Sequence, residues 1–229
     1  MKSALILVLA CTGCSYAAGG LMADPAYGER ELLRNSLMKP ENALIPEEGI
    51  QRLLASRIEI PKRAKLAVHS FSHRSVELGR WTRPEILEAR KDALGALEGP
   101  LGETGRFSEI THVPAMLLPA EPSITRLREA AALMQADLLL VYATRSERVT
   151  STFLFVANEV KVVTGVEVFL MDVKTGVIPY AETFEGIRTV KQSKEDDRLA
   201  ETQRRAEREG ILDVLRQTAE SLKGFFSKG

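Results

Sequence analysis

Cysteine is scarce in this sequence, and its two cysteines, Cys11 and Cys14, both stand near the amino terminus. Because no cysteine follows position 14, the rest of the chain has no disulfide framework to build. The sequence also lacks a long apolar run near this end: residues 4–10 are apolar, far short of the roughly 20 residues that a membrane-spanning helix needs. These two absences exclude a disulfide scaffold and an amino-terminal membrane span.

An excess of charge of either sign is also absent, since Lys and Arg together number 31 and Asp and Glu together number 31. No basic stripe with interleaved aromatic residues is present either, and such a stripe is typical of nucleic-acid binding. We therefore expect no nucleic-acid partner.

Catalytic and cofactor motifs are missing as well. The chain has no Gly-rich phosphate loop, no cysteine cluster and no Gly-x-Ser-x-Gly nucleophile motif. His69 and His73 stand four residues apart beside Ser70, but a metal site needs further ligands, and histidines without a function are the commoner case. His112, alone near a proline, is interpreted in the same way. We predict a non-enzyme without metal or cofactor.

What the amino terminus does contain is a targeting signal at residues 1–13. Lys2 gives a positive start, and the apolar residues 4–10 follow it. The sequence Cys11-Thr12-Gly13-Cys14-Ser15 then resembles the lipobox of bacterial lipoproteins, in which small residues precede a cysteine that is acylated and becomes the mature amino terminus.

Cys14 is the predicted lipidation site, because Thr12 and Gly13 precede it, and Cys11 is the second candidate. An ordinary cleaved signal with incidental cysteines is the alternative. Ser15, in place of an aspartate, matches lipoproteins that are sorted to the outer membrane. Several acyl chains on one cysteine anchor more firmly than one chain, so we expect a periplasm-facing protein held to the outer membrane by lipid.

Residues 14–45 contain prolines and glycines without sustained periodicity, which predicts a flexible tether that a short helix interrupts. Pro46, followed by Glu47 and Glu48, predicts a helix start, and we expect that helix to cap the domain. Residues 46–229 form the predicted domain.

The first half of this domain alternates strands and helices. Strand patterns lie at residues 64–71, 110–118 and 138–141; a helix that Thr82 caps ends at Gly99, and a second helix follows Ser123. Such alternation favours a sheet with parallel members and right-handed crossovers.

Consecutive strands follow in the second half. The even positions of residues 160–170 form one predicted core face. A turn at residues 172–176 predicts an antiparallel return strand. Because Pro179 cannot donate a backbone hydrogen bond, we expect that strand at a sheet edge or at a bulge. Residues 193–209 predict a solvated or mobile charged helix, and residues 211–222 an amphipathic one. The predicted fold class is α/β with a mixed parallel and antiparallel sheet in a single domain.

The combination of a lipobox, this order of elements, the run Ala136-Asp137-Leu138-Leu139-Leu140-Val141 and the turn Val173-Lys174-Thr175-Gly176 resembles the rhombotarget lipoprotein family. More distantly, it is similar to the periplasmic domains of curli-secretion channel lipoproteins and penicillin-binding-protein activator lipoproteins. These resemblances imply an outer-membrane anchor and an α/β domain that binds an envelope protein or self-assembles. Residues 224–229 depart from a rhomboid-type sorting tail, so we expect no such processing.

Two surfaces are candidates for binding. One is the loop from Ser70 to Arg83, which follows the carboxyl end of the first strand, where open α/β sheets place ligands. The other is an apolar run at residues 153–156; a buried strand is its alternative reading. The candidate binding residues are His73, Arg74, Arg80, Trp81, Phe153 and Phe155. A small-ligand binder or hydrolase that uses the loop at residues 70–83 is the alternative function.

Overall fold

The computed structural model describes residues 45–72, 83–119, 123–149, 159–194 and 199–228. These residues form one α/β domain, which confirms the predicted fold class. The elements, in chain order, are α1 (Glu47–Ala55), β1 (Ala64–Ser72), α2 (Arg83–Glu103), β2 (Phe107–His112), α3 (Ile124–Leu133), β3 (Leu138–Val149), β4 (Glu159–Asp172), β5 (Tyr180–Lys191) and α4 (Leu199–Lys228). A short 3-10 helix, Ala115–Leu117, follows β2.

The strands form one sheet in the order β2-β1-β3-β4-β5. β1 runs parallel to both β2 and β3, whereas β3, β4 and β5 are antiparallel to one another. The described connections fit these directions, because helices lie between β1 and β2 and between β2 and β3, and a tight turn joins β4 to β5. The predicted mixed sheet is therefore confirmed.

Helices pack on both faces of the sheet. One face, with Leu66, Leu140 and Leu170, is buried against α2 and α4, and these three side chains are at most 1% exposed. The other face is buried against α3, where Leu127 contacts the cluster that includes Leu139 and Met171. As predicted, the even positions of β4 form the larger core face.

The turn between β4 and β5 forms where the sequence predicts it. The side chain of Asp172 accepts a hydrogen bond from the Thr175 N–H at 2.8 Å, and Gly176 takes a positive φ of 80°. Arg128 of α3 then donates to the carbonyl oxygens of Val173 and Lys174, both at 2.7 Å. The single helix on this face is thus tied to the turn.

Four predictions about individual elements are wrong. The helix α1 does not cap the domain: it has no buried residue, and Leu54 is 76% exposed. β2 ends at His112 and not at residue 118. α2 continues past Gly99 with Pro100 inside it, because Leu97 and Leu101 are both fully buried, and this burial outweighs the cost of the proline.

The fourth correction concerns the carboxyl-terminal segment, which is one helix of 30 residues where we expected a mobile charged part and an amphipathic part. Gly210 lies at the closest approach of α4 to the sheet, where an added Cβ would come within 2.8 Å of the Thr164 Cγ2 atom. The glycine lets the helix approach β4, so the charged half is buried on one side, at Thr202, Gln203 and Ala206. Among the helices that the structure describes, none has the length and apolar content needed to cross a membrane.

Candidate functional site

The sheet face that carries α3 is the candidate functional site, because part of it beyond α3 forms an open groove. The groove has a volume of about 380 Å³. Side chains of β1, β3, β4 and β5 line it, and the lining includes Phe71, Val141, Ala143, Glu167, Phe169, Ala181 and Thr183.

Strand register explains how the groove forms. Phe71, Ala143, Glu167 and Thr183 lie in one row across the sheet. The neighbouring row contains His69, Val141, Phe169 and Ala181. Residues directly opposite each other point to the same face of the sheet. Each row therefore places one phenylalanine and one alanine side by side on that face. The two small side chains leave the depression that the two aromatic rings border.

The ring of Phe71, which lines the groove, packs against the ring of His69. The rings of His69 and Phe71 meet edge to face, with centroids 4.6 Å apart and an interplanar angle of 82°. Such a T-shaped contact is a favourable aromatic arrangement. His69 is therefore part of a packed ring pair at the end of β1.

Near the groove, Arg145 forms an ion pair with the lining residue Glu167, and the carboxylate-bearing Glu182 also lines the groove. Arg145 lies on the same face as Glu167, and its guanidinium Nη2 is 2.9 Å from the carboxylate Oε1 of Glu167. The Arg145 side chain is only 7% exposed, whereas the Glu167 side chain is 38% exposed. The pair leaves the groove with an apolar floor and a rim without net charge from these two residues.

The sequence does not predict the groove residues, because the charged odd positions of β4 are typical of a face in contact with water. Phe169 was the available signal, since it is a large apolar side chain among charged odd positions such as Lys161 and Glu167. Ala143 and Ala181 carry no signal of their own, because their role depends on the side chains opposite them.

All the residues predicted to bind or to be lipidated lie outside the described residues. They are Cys11, Cys14, His73, Arg74, Arg80, Trp81, Phe153 and Phe155. Of the described residues in the predicted loop at residues 70–83, Phe71 lines the groove. These site predictions stay predictions.

His112 takes part in a contact between α2 and β2. Its Nε2 atom lies 2.5 Å from the Oε1 atom of Glu98. The contact joins the second helix to an edge strand, and this gives His112 a structural environment. Within the described residues, no three His, Cys, Asp or Glu side chains are grouped so that they could hold a metal ion.

Comparison with known proteins gives a likeness of fold alone. No protein-family model matches the chain, and no curated protein matches it. Among solved structures, it is similar to the hypothetical protein CT253 from Chlamydia trachomatis, at 13% identity and a TM-score of 0.46, over 73% of this chain and 99% of that one.

Two further solved structures are similar to this chain. Lipoprotein GNA1162 from Neisseria meningitidis is 10% identical with a TM-score of 0.39, over 72% of this chain and 99% of that one. The PelC dodecamer from Paraburkholderia phytofirmans is 19% identical with a TM-score of 0.36, over 68% and 87%. At such identities and scores, a likeness says nothing about what this chain does.

Proposed function

We propose that this protein is an outer-membrane lipoprotein, anchored through lipid on Cys14, whose periplasmic α/β domain binds an envelope protein or its own copies without catalysis or a cofactor. The anchor depends on the small residues Thr12 and Gly13 before Cys14 and on Ser15 after it. The resemblance to rhombotarget lipoproteins, and more distantly to the curli-secretion and penicillin-binding-protein activator lipoproteins, belongs to the same proposal.

The groove is the observation that supports protein binding. Its phenylalanine and alanine lining offers apolar surface, and the rim pair of Arg145 and Glu167 satisfies its own charge. A partner of matching chemistry is an extended protein segment that inserts an apolar side chain between Phe71 and Phe169, since burial of that side chain drives association without a buried unpaired charge.

A photocrosslinking residue at position 181 tests the groove. Ala181 is exposed and lines the groove, so benzoylphenylalanine in its place should give a discrete adduct in intact cells. Glu109, exposed on the same face of the sheet but on β2 at the opposite edge, is the matched control and should give no such adduct. Equal adducts at both positions, or none at either, would contradict the proposed binding function.

The anchor has its own test. Cys14→Ala should abolish fatty-acid labelling and release the protein from the membrane fraction, whereas Cys11→Ala should change neither. If Cys14→Ala kept its label while Cys11→Ala lost it, the lipid would be on the other cysteine. Retention of the label in both variants would contradict a lipid on either residue.

A small apolar ligand is the second candidate for the groove. The volume of about 380 Å³ lies within the range of small-molecule sites, and the groove adjoins the start of the loop at residues 70–83. Native mass spectrometry of the purified protein decides this point. A bound mass that is lost in Ala181→Trp and kept in Glu109→Trp would favour the ligand over the protein segment.

A further inference from the structure

The two edges of the sheet differ in how open they are to another strand. β2 has six residues, its register with β1 shifts near Ala64, and Pro114 follows it closely. β5 has twelve residues and pairs with β4 without a register shift. Among the described residues, no strand pairs with the outer edge of β5. Short, irregular and proline-terminated edges resist pairing, whereas long regular ones permit it.

The outward backbone groups of β5 can be assigned from the ladder. The Val173 N–H donates to the Asp137 carbonyl, so the odd residues of β4 are hydrogen-bonded towards β3. Hydrogen-bonded partners alternate along antiparallel strands, so the even residues of β4 bond towards β5 and pair with its even residues. The N–H and C=O groups of the odd residues of β5, from Ala181 to Thr189, therefore point away from the sheet, whereas the Lys191 carbonyl already accepts a hydrogen bond from Arg205.

We infer that this edge pairs with the same edge of a second copy of the chain, antiparallel and centred on Ile187. A second copy is one partner for the protein-binding function proposed above, on which this pairing rests. The paired surface is the β5 edge and not the groove. Ile187 is 58% exposed. It lies near the middle of the row of odd β5 residues, whose backbone groups point outward. With Ile187 of one copy opposite Ile187 of the other, both apolar side chains become buried.

The charges along β5 favour a second copy in this orientation. Glu182 and Glu185 lie in its first half, and Arg188 and Lys191 lie in its second half. Within its own chain, Arg188 already forms ion pairs with α4, and Lys191 forms one with β4 at 3.2 Å. The pairing between copies therefore depends on Glu185 and on the exposed Lys191 ammonium. Antiparallel self-pairing brings the acidic half of one strand beside the basic half of the other, whereas parallel pairing would bring like charges together. In the register centred on Ile187, Glu185 lies diagonal to Lys191 of the other copy, whose side chain is 82% exposed.

The position of α4 fits the same arrangement. This helix contacts both β4 and β5, at Thr164 through Gly210 and at Gly186 through Val214. With neighbouring strands spaced about 4.8 Å apart, the α4 helices of two copies would lie about 10 Å apart across the new pairing. Helices commonly pack at about this distance.

Cysteine crosslinking in membranes of the producing cells tests the pairing. In Ile187→Cys the two introduced thiols would face each other at about 5.5 Å between Cα atoms, so a short bismaleimide should convert the protein to a dimer. In Thr183→Cys they would be about 27 Å apart along the strands, and no dimer should form. The unsubstituted protein measures any background from Cys11 or Cys14.

Charge reversal sharpens the test without touching the reporter residue. In the Ile187→Cys background, Glu185→Lys should lower the dimer yield about fivefold, equivalent to about 1 kcal/mol, and Lys191→Glu in the same chain should restore it. Position 185 is exposed, so the fold should survive, and thermal unfolding followed by circular dichroism confirms this.

Three results would overturn the inference: no dimer from Ile187→Cys, equal dimers from both cysteine positions, or a crosslink from Ile187→Cys to a different protein. The groove experiment keeps the two proposals apart. If Ile187→Cys gives no dimer but the photocrosslinker at position 181 gives an adduct, only the β5 pairing is contradicted. If neither experiment gives a crosslink, the protein-binding function is contradicted as well.

Discussion

The two faces of the sheet differ in how far helices cover them. On one face, α2 and α4 bury a core that runs across β1, β3, β4 and β5. On the other, α3 covers the cluster that includes Leu139 and Met171, and the groove lies beyond it. The first face supplies most of the apolar burial that stabilises the fold, and the second leaves room for recognition. Stability and binding can therefore be altered separately.

The largest effect should come from adjacent residues of β4 that point to opposite faces. Leu170 is fully buried on the helix-covered face, so Leu170→Ala should lower the free energy of unfolding by about 3 kcal/mol through lost burial and a cavity. Phe169, half-buried beside the groove, should cost about 1 kcal/mol when changed to alanine, because it is already partly in water. Urea denaturation measures the free energy of unfolding of both variants. Equal losses in the two variants would contradict the difference between the faces.

A smaller effect is expected where α4 approaches the sheet. Alanine is a better helix former than glycine by about 1 kcal/mol, yet Gly210→Ala should destabilise the protein by about 1–2 kcal/mol because its Cβ would press on Thr164. Gly224 of the same helix has no atom within 4 Å of an added Cβ, so Gly224→Ala should stabilise it.

Thr164→Ser in the same chain as Gly210→Ala identifies the clash. Serine removes the methyl group that lies 2.8 Å from the added Cβ, so at least half of the lost stability should return. A double variant no more stable than Gly210→Ala alone would show that the cost has another origin. Chemical denaturation of the four proteins closes the cycle.

An effect that appears only at high pH concerns Tyr180, at the end of the helix-covered face. Burial, opposed by the hydrogen bond with Ser221 and assisted by the Glu182 carboxylate, raises the pKa of Tyr180 from 10.0 to about 12. Because the folded state holds the proton more tightly, the resulting stabilisation is complete below pH 10 and is lost as the pH rises towards 12. The urea midpoint should fall over this range, and Tyr180→Phe should fall less steeply. Identical slopes for the two proteins would contradict the assignment.

The order of strands and helices could be predicted because periodicity and turn chemistry are local. The alternation of Val160, Val162 and Val166 indicates the core face of β4, and the Asp172 turn indicates the hairpin. The end of α2 and the continuity of α4 could not be predicted in this way. Both depend on tertiary burial, at Leu101 and at Gly210, that no local pattern contains.

The groove was also beyond local reasoning. It exists because Ala143 and Ala181 lie between Phe71 and Phe169 on four different strands, and only the register brings them together. The residues that sequence reasoning favoured, such as Trp81 and Arg80, were selected by residue type and by their place after β1. Type and place indicate where a binding loop can occur, but shape is a property of the assembled sheet.

Asp137 has a consequence for the order in which this fold assembles. Its N–H donates to the Lys65 carbonyl at 2.9 Å, its carboxylate accepts from the Lys65 N–H at 2.7 Å, and its carbonyl accepts from the Val173 N–H at 3.0 Å. The antiparallel strands β3, β4 and β5 close short loops and can collapse early, whereas the join to β1 spans 72 residues and must close a long one. Asp137 lies where the two meet, so we expect its two hydrogen bonds with Lys65 to form in the non-local step of folding.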